Sequence, residues 1–219
     1  MQHLKTKTAA GGAALFASAA LAATLIPGSA VAHGNDDGAR PEAAHARLNS
    51  LNNSGATGRA EVHAGFRRLH IEVDARGVVK GLPHAMHIHF GAEARHECPT
   101  AAMDDSNRDF RLTTSEGVPA YGPVRVSLTT TGDTSPASAL AVDRFATAPR
   151  GQIHYDRTTK TQRQVVRAIQ HGKAVVVIHG VDYNGNGRYD FESAGRSDLD
   201  PSLPAEATDP ATCGVLRVG

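Results

Sequence analysis

The stretch Arg59-Ala60-Glu61-Val62-His63-Ala64-Gly65-Phe66-Arg67-Arg68-Leu69-His70-Ile71-Glu72-Val73-Asp74-Ala75 decides the fold class. Ala60, Val62 and Ala64 fall on one side of an extended chain and Glu61 and His63 on the other. After the break at Gly65 the pattern resumes, with Leu69, Ile71 and Val73 set against His70, Glu72 and Asp74. A repeat of two is the period of a strand, because successive side chains stand on opposite faces. The two runs therefore read as consecutive strands of a hairpin or meander, with one face to bury and one for solvent. His63 and His70 fall on the solvent face, where histidine is ordinary.

Further runs of strand character lie at 85–90, 124–130, 151–155 and 174–179. The last is almost continuously apolar, as a strand buried on both faces would be. One helix is predicted, at about 161–170, where Val165, Val166 and Ile169 make a short stripe and Gly172 offers a left-handed stop. The chain has no Trp, 5% aromatic residues, 22 Gly and 11 Pro, which fits many short elements joined by turns. These observations predict an all-β sandwich over residues 48–219, with long loops at 91–122 and 180–212 and one short helix.

Upstream, Lys5 and Lys7 precede an apolar segment at 9–26 that ends at Pro27-Gly28, followed by Ala30-Val31-Ala32. That order is the signature of a signal peptide over 1–32, and it predicts export. Residues 33–47 are polar, without evident periodicity, and read as a flexible leader. Cleavage after Ala32 would expose an amino group and an imidazole together at His33, a copper-chelating pair. In an oxidising compartment the two cysteines, Cys98 and Cys213, are expected to pair. The 23 basic and 22 acidic residues are interspersed, so nothing marks the chain for nucleic acid. No nucleophile elbow, dinucleotide fingerprint, phosphate loop or zinc-protease helix is present, which weakens hydrolase and dehydrogenase readings.

The chemistry concentrates in histidines. In Met86-His87-Ile88-His89 two imidazoles at i and i+2 share one face of a strand, and His179 ends the apolar strand Val175-Val176-Val177-Ile178. Three neutral imidazoles suit copper or zinc far better than calcium or magnesium. Calcium is expected elsewhere. Asp105, Asn107, Asp109, Thr113 and Glu116 stand at positions 1, 3, 5, 9 and 12 of a twelve-residue calcium loop, with Phe110 where a glycine usually turns. A second, weaker loop places Asp182, Asn184, Asn186 and Asp190 at positions 1, 3, 5 and 9, with Gly187 at the turn. The alternatives are Asx-rich and glycine-rich turns.

The landmarks Gly81-Leu82-Pro83-His84-Ala85-Met86-His87-Ile88-His89-Phe90-Gly91, then Cys98, Val177-Ile178-His179 and Cys213-Gly214-Val215-Leu216, resemble in order those of copper/zinc superoxide dismutases. With Asn52-Asn53-Ser54-Gly55 and Tyr121-Gly122-Pro123-Val124, the first segment also resembles bacterial CHRD-domain proteins. The dismutase resemblance implies an antiparallel Greek-key sandwich, copper on His87, His89 and His179, and an intrasubunit Cys98–Cys213 disulfide. His96 or His84 would be available as a fourth ligand, and His154 less so. The departures are specific. No histidine occurs from Glu97 to Ile153, so the family's bridging and zinc histidines are missing, and Pro210 stands where its active-site arginine lies. The resemblance thus implies a secreted copper-binding protein with weak or no dismutase activity. The other expectation, from a different class, is a non-enzymatic CHRD-like extracellular module stabilised by calcium loops and the disulfide.

Overall fold

The computed structural model describes residues 42–219. The expected signal peptide at 1–32 and residues 33–41, His33 among them, lie outside the described residues. Among the described residues nine strands form the fold: β1 (Glu42–Ser50), β2 (Thr57–Gly65), β3 (Arg68–Arg76), β4 (Met86–His89), β5 (Val124–Ser127), β6 (Gln152–Lys160), β7 (Val175–His179), β8 (Pro210–Val215) and β9 (Arg217–Val218). Every pairing is antiparallel, in the order β5-β4-β7-β8-β1-β2-β3-β6, with β9 alongside β1. The chain is all-β, as the alternating hairpin predicts.

One strand joins the two halves of this sheet. Ala43 to Leu48 pair with β2, whereas Asn49 and Ser50 pair with β8, so β1 passes from one half to the other. The halves curl over a shared core, to which Leu48, Val62, Leu69, Ile71 and Val73 contribute from one side and Met86, Ile88, Val126, Val176 and Ile178 from the other. Burying each such side chain is worth about 1.5–3 kcal/mol, and this holds the faces together. Three neighbouring pairs in that strand order, β3–β6, β4–β7 and β8–β1, are non-consecutive in sequence, and they are the crossings of a Greek-key arrangement.

The β2–β3 hairpin forms in the expected register, with Val62 opposite Ile71 and His63 opposite His70. Its turn places Phe66 and Arg67 at positive φ (36° and 66°), the backbone that a two-residue hairpin turn demands. Two expectations need correction. Residues 42–47, read as leader, belong to β1: Ala44, Ala46 and Leu48 are buried in alternation with exposed His45 and Arg47, a period hidden by the small size of alanine. Instead of one helix, the described residues contain four short ones, α1 (Ala101–Asp104), α2 (Thr114–Tyr121), α3 (Arg163–Gln170) and α4 (Ala205–Thr208). Helix α3 is the predicted one. Helix α2 starts from a capping box, in which the Thr113 hydroxyl accepts from Glu116 N–H and the Glu116 carboxylate accepts from Thr113 N–H at 3.0 Å.

The half containing β4 and β7 is buried on both faces. Beyond the main core, the 90–123 segment covers its outer side, packing Tyr121, Val175, Val177 and Cys213 with Leu51, Cys98 and Val215. The Cys98–Cys213 disulfide staples this cover to β8 across a sequence separation of 115 residues. In the chain-entropy account a loop of that size contributes on the order of 4–5 kcal/mol. Replacing both cysteines by serine is expected to lower unfolding stability by about that amount, read from denaturant unfolding as a lower midpoint with a slope that rises as the unfolded chain expands.

Candidate metal centre

Strands β4 and β7 pair with His87 opposite Val177 and His89 opposite Val175, and His179 N–H donates to Ala85 O (2.8 Å) just past the end of that register. The side chains of His87, His89 and His179 therefore rise from one face of adjacent strands. Their ring centroids lie 5.5 Å (His87–His89), 5.1 Å (His87–His179) and 6.2 Å (His89–His179) apart. One nitrogen of each ring falls within 4.8 Å of the others, so the three form a group that can hold a metal ion. All are buried, at 4%, 1% and 3% exposure. Tyr121 packs on His89 (4.5 Å between centroids) and Phe145 meets His87 edge-on at 5.5 Å.

Backbone carbonyls from three separate segments orient the rings. His87 Nε2 lies 3.0 Å from Ala139 O, His89 Nδ1 2.8 Å from Gly122 O, and His179 Nδ1 is bonded to Thr208 O. A carbonyl only accepts, so each of these nitrogens carries the proton and the opposite nitrogen bears a lone pair. Those opposite nitrogens, His87 Nδ1, His89 Nε2 and His179 Nε2, are buried without a hydrogen-bond partner. Leaving a buried polar atom unpaired costs about 1–3 kcal/mol. A cation placed among the three lone pairs relieves all of them, and an imidazole whose other N–H is tied to a carbonyl is the usual arrangement around a bound metal.

Two glycines make the arrangement possible. Gly122 caps α2 at φ 87°, and a Cβ there would stand 2.7 Å from the Phe90 and Gly91 backbone. Gly180, at φ 111° directly after His179, would drive a Cβ into Tyr189 Oη and His84. Burial pushes the His87 imidazole well below its ordinary value, with the two neighbouring histidines adding to the effect. The same burial, reinforced by His179, takes His89 down to about 3, and burial takes His179 to about 4; the carbonyl hydrogen bonds oppose these shifts. All three rings are thus neutral at pH 7, the form that binds metal.

The sequence offers His96 or His84 as a possible fourth ligand, and neither falls within the group of three. His84 is buried, with Nδ1 2.9 Å from His179 O and Nε2 3.1 Å from Val79 O, so it braces the backbone behind His179. His96 is half-buried in a left-handed turn (φ 62°) and stands outside the group. His154 lies on the far face of the sheet, 2.7 Å from Asp74. A link invisible in the sequence joins the covering segments: buried Asp209 accepts from Arg111 Nη1 and Tyr183 Oη, each at 2.9 Å. Asp209 directly follows Thr208, the anchor of His179.

Both acidic loops are turned inward on their own backbone. Asp105 accepts from Asp109 and Phe110 N–H, Asn107 from Asp109 N–H, and Asp109 from Arg111 N–H. Asp182 accepts from Gly185, Asn186 and Gly187 N–H, Asn184 from Asn186 N–H, and Asn186 from Arg188 N–H. Asp190 accepts from the Asn186 amide. Phe110 takes φ 65°, the left-handed backbone expected of a glycine there. Thr113 and Glu116 form the capping box of α2, and Glu116 also accepts from Ser106 N–H and Oγ. A helix does follow the first loop, which the sequence reading left without one.

A scan against protein-family models gives no match, and a search of curated proteins gives none either.

The histidine shifts set a pH dependence. A base whose folded value is depressed contributes stability above its unfolded value and loses it as pH falls towards the folded value. The metal-free protein is therefore expected to lose stability progressively from about pH 6.5 towards the values of about 4 and 3 at His179 and His89. A melting temperature flat between pH 6.5 and 4 would contradict the neutral buried triad.

Proposed function

We propose that this chain is an exported copper-binding protein that holds the ion on His87, His89 and His179. The observation that carries the reading is the gathering of three buried imidazoles with one nitrogen of each within 4.8 Å of the others, each ring anchored by a backbone carbonyl and left with an unpartnered nitrogen. Imidazole nitrogen suits the later first-row metals, among which copper(II) binds most strongly at a given donor set. The resemblance of the same histidines and of the two cysteines to copper/zinc superoxide dismutases points the same way. The disulfide favours an oxidising, extracytoplasmic setting. Among the described residues no helix is long and apolar enough to cross a membrane.

The reading is of copper holding rather than fast dismutation. No histidine between Glu97 and Ile153 is available to bridge to a second metal, and Pro210 supplies no guanidinium to guide an anionic substrate. The three rings are almost fully covered. Purified protein is expected to take up one copper(II) at the triad with a histidine-dependent absorption band and a rise in melting temperature. His87→Ala with His179→Ala is expected to abolish the band, and the loaded protein to fall orders of magnitude short of a true dismutase. Unchanged copper content in the double variant would end the proposal.

A second reading adds calcium to the loops at 105–116 and 182–190. It is favoured by one observation: both loops carry the same turn pattern, in which the first residue accepts from the fifth and sixth amides, the third from the fifth and the fifth from the seventh. Calcium there would rigidify the segments bearing Gly122 and Thr208, and the protein would serve as a stabilised, non-enzymatic CHRD-like module. A calcium-dependent rise in melting temperature, reduced by Asp182→Ala and by Asp105→Ala, is the expected result; a melting temperature indifferent to calcium contradicts it.

A further inference from the structure

The solvent face of β2, β3 and β6 gathers metal-ligating groups from three strands. In the register of this face His63 stands opposite His70, and Glu61, Glu72 and Asp156 stand in one row across the three strands. His45 of β1 follows beside Glu61, with Arg217 of β9 beyond it, so the three carboxylates are adjacent in the row with no Lys or Arg among them. Like charges directly opposite one another destabilise a sheet. Here three carboxylates are opposed in line, and the groups nearest them are imidazoles.

His70 is the hub. Its Nε2 lies 3.0 Å from Glu72 Oε1 and its Nδ1 3.6 Å from Asp156 Oδ1. One ligand atom from each of His70, Glu72 and Asp156 falls within 4.8 Å of the others. His63 has its ring centroid 6.0 Å from that of His70, and its Nε2 lies 2.8 Å from Glu61. Two donors about 2.0 Å from a tetrahedral zinc ion stand about 3.3 Å apart. An ion takes one nitrogen of His70, so both carboxylates must turn towards that same nitrogen, and the Nδ1 contact with Thr158 Oγ1 (3.2 Å) is free to stay or yield. The side chains of His70, Glu72 and Asp156 are 36%, 46% and 55% exposed, so water can complete the sphere.

We propose that His70, Glu72 and Asp156, with His63 alongside, form a second, solvent-exposed site for a divalent transition-metal ion such as zinc(II). Imidazole selects against calcium and magnesium, and the carboxylate row supplies the charge that a divalent cation neutralises. The site is independent of the buried triad, since it lies on the side chains that point away from the core. Its exposure makes it the weaker and more readily exchanged of the two.

Zinc(II) titrated calorimetrically into metal-free protein, with calcium in excess, tests this. Two equivalents are expected, one tight and one weaker. His70→Ala and Asp156→Ala, surface changes that leave the core untouched, should each weaken the second equivalent at least tenfold and spare the first. His179→Ala should remove the tight phase and spare the weaker one. A single equivalent that His179→Ala abolishes and His70→Ala leaves alone overturns the exposed site. A single equivalent with the opposite dependence sustains it and tells against the buried one. A second equivalent undiminished in both surface variants means that the zinc binds elsewhere and that these side chains form ordinary ion pairs, and likewise overturns the proposal.

Discussion

Three backbone carbonyls, those of Gly122, Ala139 and Thr208, decide which nitrogen of each buried histidine keeps its proton. Everything chemical about the centre follows from that choice. With those protons committed to carbonyls, each ring keeps one buried, unpartnered nitrogen, on three rings that burial keeps neutral and that each bring a nitrogen within 4.8 Å of the others. The carbonyls come from the 90–123 segment, the connection between β5 and β6, and the end of α4. The long connections are therefore parts of the centre and not merely covers for it.

The sheet supplies what the loops cannot. Pairing of β4 with β7 sets the rings side by side, and the shared core under Met86, Ile88, Val176 and Ile178 keeps both strands in register. The disulfide and the Arg111–Asp209–Tyr183 contacts then hold the covering segments against the strands. Burial takes the Asp209 carboxyl up to about 6 against the pull of Arg111, a sign that this link is itself largely withdrawn from water.

Much of this was legible in the residues. Alternation over 59–75, the i, i+2 histidines of β4, the apolar run ending at His179 and the pair of cysteines all point to elements that the fold contains. What escaped has physical reasons. The inward side of β1 is largely alanine, whose low apolar contrast conceals a period of two. Helix α2 was missed because Thr113 and Glu116 carry oxygens that fit a calcium loop as well as a capping box, and Pro119 lies within the helix. The anchoring carbonyls had no signature, since any residue offers one. Likewise the row of Glu61, Glu72 and Asp156 exists only once three strands are in register.

Histidine tautomers in the metal-free protein, read from long-range proton–nitrogen NMR correlations at neutral pH, test the central claim most directly. The account predicts neutral rings protonated at Nε2 in His87 and at Nδ1 in His89 and His179. An Nε2-protonated His89 or His179, or a ring of the triad carrying both protons, would contradict it, because the lone pairs would then no longer converge.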